Sequence, residues 1–122
     1  MVRSASDPPD VDALLPLHAF TFHILLSLTG GDRHGYGILQ DVQDRTDGAV
    51  RLSAGALYRT IARLLEQGLI VESAKRNMAS DDPRRRYYRL TPFGRAVTQA
   101  ETNRLARLVR LARGSGLVPE TP

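Results

Sequence analysis

The sequence predicts a mainly α protein with one small β-hairpin, and three observations carry that expectation. Apolar residues recur at helical spacing in four stretches. Between the third and fourth, the pattern switches twice to strand-like runs, at 69–73 and 86–91, separated by polar turn residues. The 122 residues are 42% hydrophobic and 25% charged, the composition of one soluble domain rather than of a disordered or fibrous chain. A chain of this length buries roughly two-thirds of its unfolded surface.

The elements follow in order. Ser4, Ser6, Pro8 and Pro9 leave residues 1–11 with too little apolar surface to offset ordering entropy, so a flexible arm is expected. From Asp12 the pattern reads as helix, with Leu17, Phe20, Ile24, Leu25 and Leu28 on one face and Gly30-Gly31-Asp32 ending it. Leu15, Phe22 and Leu26 fall away from that face, so the helix is expected to bury two sides. Either a second chain or a helix of the same chain folding back would cover the second side.

A second helix fits 36–46, with Ile38, Leu39 and Val42 inward and Gln40, Asp41, Gln43 and Asp44 outward. Asp47-Gly48 stops it. A third starts after Ser53, a good N-cap, and is expected to bury Leu57, Ile61, Leu64 and Leu65 before Gly68 ends it. The hairpin follows, its long tip containing Asn77, Ser80, Asp81, Asp82 and Pro83. Thr91 and Pro92 read as N-cap and first position of a last helix running to about 113, ahead of Gly114-Ser115-Gly116.

The last helix carries Phe93, Val97, Ala100, Leu105, Leu108, Leu111 and Ala112 near heptad spacing, with five arginines on its other faces. It reads as an amphipathic docking helix. Two spare apolar surfaces would cover each other across a homodimer: Leu15, Phe22 and Leu26 on the first helix, and Val97, Leu105, Leu108 and Leu111 on the last. The expected organisation is an arm at 1–11, a globular unit at 12–91, a dimerisation helix at 92–113 and a flexible tail at 114–122.

Three helices followed by a two-stranded hairpin is the order of a winged helix-turn-helix, whose third helix enters the DNA major groove while the hairpin flanks the backbone. At 100° per residue, the face opposite Leu57, Ile61 and Leu64 holds Gly55, Arg59, Ala62, Arg63 and Glu66, with Ala56 and Thr60 at its margins. Small Gly55 and Ala56 allow close approach, and Ser53 with the first amides suits a phosphate. Arg59 is placed to read a guanine edge and Thr60 a thymine methyl or polar edge. Arg63 is assigned to a phosphate. Tyr58 lies on the border of core and groove faces, where its ring packs and its hydroxyl reaches the duplex backbone. Lys75, Arg84, Arg85 and Arg86 make a basic wing base, whereas Asp81 and Asp82 argue against deep minor-groove insertion of the tip.

Charge supports this division. Residues 1–50 hold three basic and seven acidic side chains, residues 51–91 nine and four, and residues 92–113 five and one, within a net charge of +4. Clustered positive charge in the second half points to a polyanionic partner, double-stranded DNA.

Other classes fit less well. There is no cysteine, hence no disulfide framework or thiolate site. The first twelve residues lack the charged-then-apolar order of a signal peptide, and the apolar run near 24–28 is too short to span a bilayer, so a cytoplasmic protein without membrane attachment is expected. His18 and His23 are about 140° apart on a helix and cannot share a metal, while His34 is assigned to fix the turn into helix two, a phosphate contact being its other reading. No catalytic set, metal or cofactor is expected. A winged-helix protein-interaction module is the alternative, though it would not need a basic recognition face together with a basic wing base. A membrane-surface role for the last helix is disfavoured by its lack of Trp.

At these residues the sequence resembles the PadR family of bacterial transcriptional regulators, from about residue 15 to residue 111. The resemblance rests on several motifs in register: Arg33-His34-Gly35-Tyr36-Gly37-Ile38, Gly55-Ala56-Leu57-Tyr58, Arg63-Leu64-Leu65-Glu66-Gln67-Gly68-Leu69-Ile70 and Arg86-Tyr87-Tyr88-Arg89-Leu90-Thr91. It implies a homodimeric repressor in which Tyr58 and the polar residues of the recognition helix touch DNA. The last helix would pack on the partner's first helix, and a small hydrophobic or phenolic effector would bind near the interface. Many relatives carry a longer multi-helix C-terminal domain. This chain, with one helix and a short tail, looks like the compact subgroup.

Overall fold

A computed structural model describes residues 10–73 and 85–120. A single 3-10 turn, Asp12–Leu14, precedes α1 (Ala19–Ser27), β1 (Arg33–His34), α2 (Gly35–Arg45) and α3 (Ala54–Glu66). β2 (Ile70–Ser73), β3 (Tyr87–Leu90) and α4 (Pro92–Gly114) follow, giving the described residues four α-helices and a three-stranded antiparallel sheet. No helix of the described residues is long and apolar enough to cross a membrane.

Each helix begins where a side chain accepts one of its unpaired amide protons. Ser53 Oγ accepts from Ala56 N at 3.1 Å. Thr91 Oγ1 accepts from Gly94 N at 2.9 Å, with Pro92 next in line. The other two caps are histidines: His18 Nδ1 accepts from Phe20 N at 3.1 Å and His34 Nδ1 from Gly37 N at 3.0 Å. α3 closes with paired bonds from Leu69 N to the Leu64 carbonyl and from Gly68 N to the Leu65 carbonyl. Gly68 there sits at φ +73°, the left-handed region such an ending requires.

The first helix is shorter than the apolar pattern suggests. The continuous helix expected from Asp12 is replaced by the 3-10 turn, an extended Leu15 (φ −93°, ψ 147°) and a cis Leu15–Pro16 bond, and α1 starts only at Ala19. Pro16 supplies no amide proton and pushes the residue before it out of the helical region. Leu15 therefore does not lie on α1 but packs, half-buried, against the core.

β3 is the centre of the sheet, pairing with β2 from Ile70↔Leu90 to Ser73↔Tyr87 and with β1 at Arg33↔Tyr88 and His34↔Tyr87. The strand β1 was not expected. Two residues cannot display an alternating pattern, so nothing local announces it.

The core gathers Ile24, Leu25 and Leu28 of α1, Ile38 and Val42 of α2, Leu57, Ile61 and Leu64 of α3, Leu69, Ile70, Tyr88 and Leu90 of the hairpin, and Val97 of α4. Fully burying each such aliphatic side chain contributes about 1.5–3 kcal/mol. Two expectations are corrected here. Leu65 is 38% exposed, because it lies about 80° round α3 from Leu57 and reaches only the margin of the packed face. Val97, expected at a dimer interface, is fully buried in the protomer's own core. The first half of α4 folds back on α1, and Gly94 lies so close to the Leu69 carbonyl oxygen that a Cβ there would overlap it. The spare side of α1 is thus partly covered by its own chain.

Candidate nucleic-acid interface

α3 presents the face that its periodicity implies. Ser53, Gly55, Tyr58, Arg59 and Arg63 are exposed, and Ala56 and Thr60 are half-buried at the margins. The Thr60 hydroxyl donates to the Ala56 carbonyl at 2.9 Å, which commits its proton to the helix. A Cβ on Gly55 would stand 3.4 Å from Arg59 Nη1, so the Arg59 guanidinium lies back along the open start of the helix. Ser53, as N-cap, spends its oxygen on Ala56 N and holds this start in place.

Tyr58 joins α3 to α2. Its side chain is half exposed, and its hydroxyl lies directly over Gly35, where a Cβ would come within 2.5 Å of it. Beneath it is Tyr88, buried in β3. Burial pushes the Tyr88 hydroxyl above its usual pKa, with Tyr58 and Glu72 adding to the rise and Arg86 opposing it. Arg85 and Arg86 are both exposed at the entry to β3. Arg85 Nη1 lies 3.2 Å from His34 Nε2. Lys75 and Arg84, also assigned to the wing base, lie outside the described residues, as do Arg76 and the tip residues Asn77 to Pro83.

An open cleft of about 350 Å³ lies beside α3, lined by His34, Tyr36, Tyr58, Arg85 and Arg86. A second, of about 340 Å³, is lined by His18, Phe20, Thr21, Arg59 and Arg63. The exposed α3 face thus borders both clefts, Tyr58 lining the first and Arg59 and Arg63 the second.

Two aspartates nearby are turned to internal use. Asp32 accepts the Ser73 hydroxyl proton and faces Arg89 Nε at 3.5 Å, while Arg89 Nη2 donates to Ser73 Oγ at 3.0 Å. This ties the turn before β1 to the hairpin. Asp41 pairs with Arg45 at 2.9 Å and Arg33 at 3.5 Å. The ties from Asp32 to the hairpin could not be read from the sequence, since they depend on the sheet, whereas Asp41 and Arg45 stand four residues apart on a helix and face each other for that reason.

α4 has two distinct halves. Gly94, Val97, Thr98 and Glu101 are buried, whereas Leu105, Leu108, Val109 and Leu111 are 36–63% exposed. Val109 adds an apolar residue to those expected there. Phe22 and Leu26 of α1 are half-buried. Glu101 closes the first half: it accepts from Leu17 N at 3.1 Å and takes Arg104 in a two-pronged pair at 2.5 and 3.0 Å. The Arg104 bonds hold its carboxyl below the usual range, outweighing the upward push of burial, and the Leu17 amide helps them. Among the described residues, no group of three or more His, Cys, Asp or Glu is placed to hold a metal.

Comparison with known proteins extends this geometry. The model of the transcriptional regulator PadR-like family matches residues 24–100. The chain is similar to transcriptional regulator Rv3488 of Mycobacterium tuberculosis, 33% identical over 96 residues that cover 79% of this chain and 84% of that one. It is 34% identical over 73 residues, 60% of this chain, to an uncharacterised protein of Lysinibacillus sphaericus, of which it spans 65%, just under two thirds. Among solved structures, a PadR family transcription regulator from Clostridium difficile R20291 shares the fold with a TM-score of 0.67 at 24% identity, over 80% of this chain and 97% of that one. Bacillus subtilis PadR in complex with operator DNA does so with a TM-score of 0.57 at 18% identity, over 68% of this chain and 47% of that one.

Proposed function

The chain belongs to the PadR-like family of transcriptional regulators, a family of regulators and not of enzymes, and on that premise we propose that it is a sequence-specific DNA-binding repressor, acting as a homodimer on a pseudo-palindromic operator. The observation that carries the reading is the exposed α3 face with Arg59 and Arg63, bordering two arginine-lined clefts on a winged-helix scaffold. A fold neighbour crystallised with operator DNA supports it. In this reading Arg59 and Thr60 meet base edges over the small Gly55 and Ala56. Ser53, Tyr58, Arg63, Lys75 and Arg84 to Arg86 meet the sugar-phosphate backbone. The apolar second half of α4 pairs with the α1 of a second copy through Leu105, Leu108 and Leu111 against Phe22 and Leu26, with Leu15 at the edge. Half-sites would then lie about one helical turn apart, ~34–36 Å.

The test is recovery of bound sites genome-wide, followed by titration of the recovered operator and a scrambled duplex at two salt concentrations. Preference for the operator, with affinity falling steeply as salt rises, is expected. Equal binding to both duplexes would remove sequence specificity, and absence of binding to either would leave the protein-interaction module.

A further inference from the structure

The second cleft brings together groups from two helices that are distant in sequence. His18 and Phe20 line it from the start of α1, and Arg59 and Arg63 from α3, with Thr21, Ala56 and Thr60 completing the lining. His18 commits Nδ1 to the Phe20 amide at 3.1 Å, so that nitrogen carries no proton and the ring's proton is on Nε2. The exposed ring therefore borders the cleft as a neutral hydrogen-bond donor. Arg59 and Arg63 stand four residues apart and so one turn from each other on the same face of α3. Among the described residues no carboxylate pairs with either arginine, and none lines the cleft.

One neutral donor and two positive charges around one opening suit a negatively charged oxygen, the acceptor that makes the strongest bonds with both. Phe20 says which kind. Its ring is 38% exposed, with its centroid 5.0 Å from that of His18, and sets an apolar surface beside the donors. A free phosphate has nothing to pack there, whereas the deoxyribose next to a backbone phosphate does. The Arg59 guanidinium lies back toward Gly55, which leaves Arg63 as the arginine for the backbone. We propose that this cleft seats one phosphodiester of the duplex, with His18 Nε2 donating a neutral hydrogen bond and Arg63 supplying the charge. This rests on the DNA-binding reading and deepens it, because it makes the start of α1 a contact element besides the recognition helix and the wing.

His18 also caps α1, and the variants are chosen to keep that cap. Ser and Asp are both good N-caps, so His18→Ser and His18→Asp should unfold in urea at the wild-type midpoint. A duplex of arbitrary sequence serves for binding, because a phosphate contact carries no sequence information. His18→Ser should bind it about tenfold more weakly, the scale of a hydrogen bond to a charged group, with the slope of log K against log salt unchanged. His18→Asp should bind more weakly still, since its carboxylate would face the phosphate. Arg63→Ala should flatten the slope by about one unit. Adding His18→Ser to Arg63→Ala should then cost clearly less than it does alone, because the two side chains share one phosphate. By NMR the wild-type His18 ring should respond to the duplex and not to inorganic phosphate at the same phosphate concentration, a readout that needs no variant. Wild-type affinity in both His18 variants overturns the proposal while leaving the DNA reading intact. So do losses at His18 and Arg63 that simply add, and so does a His18 ring that responds to inorganic phosphate as it does to the duplex. Failure of the wild type to bind any duplex at low salt overturns the DNA reading itself, and this contact with it.

Discussion

Gly94 shows how much can hang on one absent side chain. Its Cα rests against the Leu69 carbonyl, which also accepts from Thr91 N and Thr91 Oγ1, each at 3.1 Å, while Leu69 N closes α3, so the start of α4 and the end of α3 meet at a single residue. Gly94→Ala should therefore destabilise the fold by about 1–3 kcal/mol or more through overpacking, read as a lower midpoint in urea unfolding. An unchanged midpoint would mean that α4 can slide off Leu69. Arg59 offers the matching functional test. If it reads a guanine, Arg59→Ala should lose roughly 1–3 kcal/mol on the operator and far less on scrambled DNA, and equal losses on both would reassign it to the backbone. Residues whose position follows from helical spacing were legible beforehand: Ser53 as a cap, Leu57, Ile61 and Leu64 as core, Arg59 and Arg63 as surface. His34 was legible as the residue that fixes the turn into helix two, and it does so by capping α2; His18 as a cap was not, because histidine is a rare choice there and its role depends on which ring nitrogen faces the helix.

At the scale of elements, the same split holds between pattern and context. Thr91-Pro92 marked the start of α4 correctly, but periodicity alone ran α1 back through Pro16 and placed Val97 on a surface. The apolar face of α4 is continuous in sequence. Its burial is not, because Glu101 ends the part that packs on the protomer, and a buried carboxylate on a helix gives no local hint that an amide from residue 17 will reach it. This group also makes stability depend on pH. Its folded pKa lies below the unfolded value of about 4.3, so its contribution is complete above that value and is lost as pH falls through the folded pKa. Wild-type unfolding free energy should thus drop by about 1–3 kcal/mol between neutral pH and the acid side of the carboxylate range. Glu101→Gln keeps an acceptor for Leu17 N and should lack that part of the drop. Parallel pH curves for the two proteins would assign the acid sensitivity to other carboxylates.

For the whole molecule, the acidic first fifty residues and basic remainder resolve into a division by place. Asp32 and Asp41 are consumed in ties to Arg89, Arg33 and Arg45, while Arg59, Arg63, Arg85 and Arg86 are exposed. Assembly is the untried step at this scale. On the proposed homodimer, Leu108→Asp should shift the protein from dimer to monomer in sedimentation and abolish operator binding, since one protomer would then grip only a half-site; a variant that stays dimeric would move the interface off the second half of α4. The overall topology was legible because three helical periods and two strands in that order admit few arrangements, whereas β1 and the fold-back of α4 arise from contacts distant in sequence. The shared residue Leu69 has a mechanical consequence. α4, 23 residues and so about 34 Å long, is a rod whose cap is hydrogen-bonded to Leu69, just past the helix that would enter the groove. Two such rods crossed in the proposed dimer would act as a calliper: the angle at which they cross would set the gap between the reading heads.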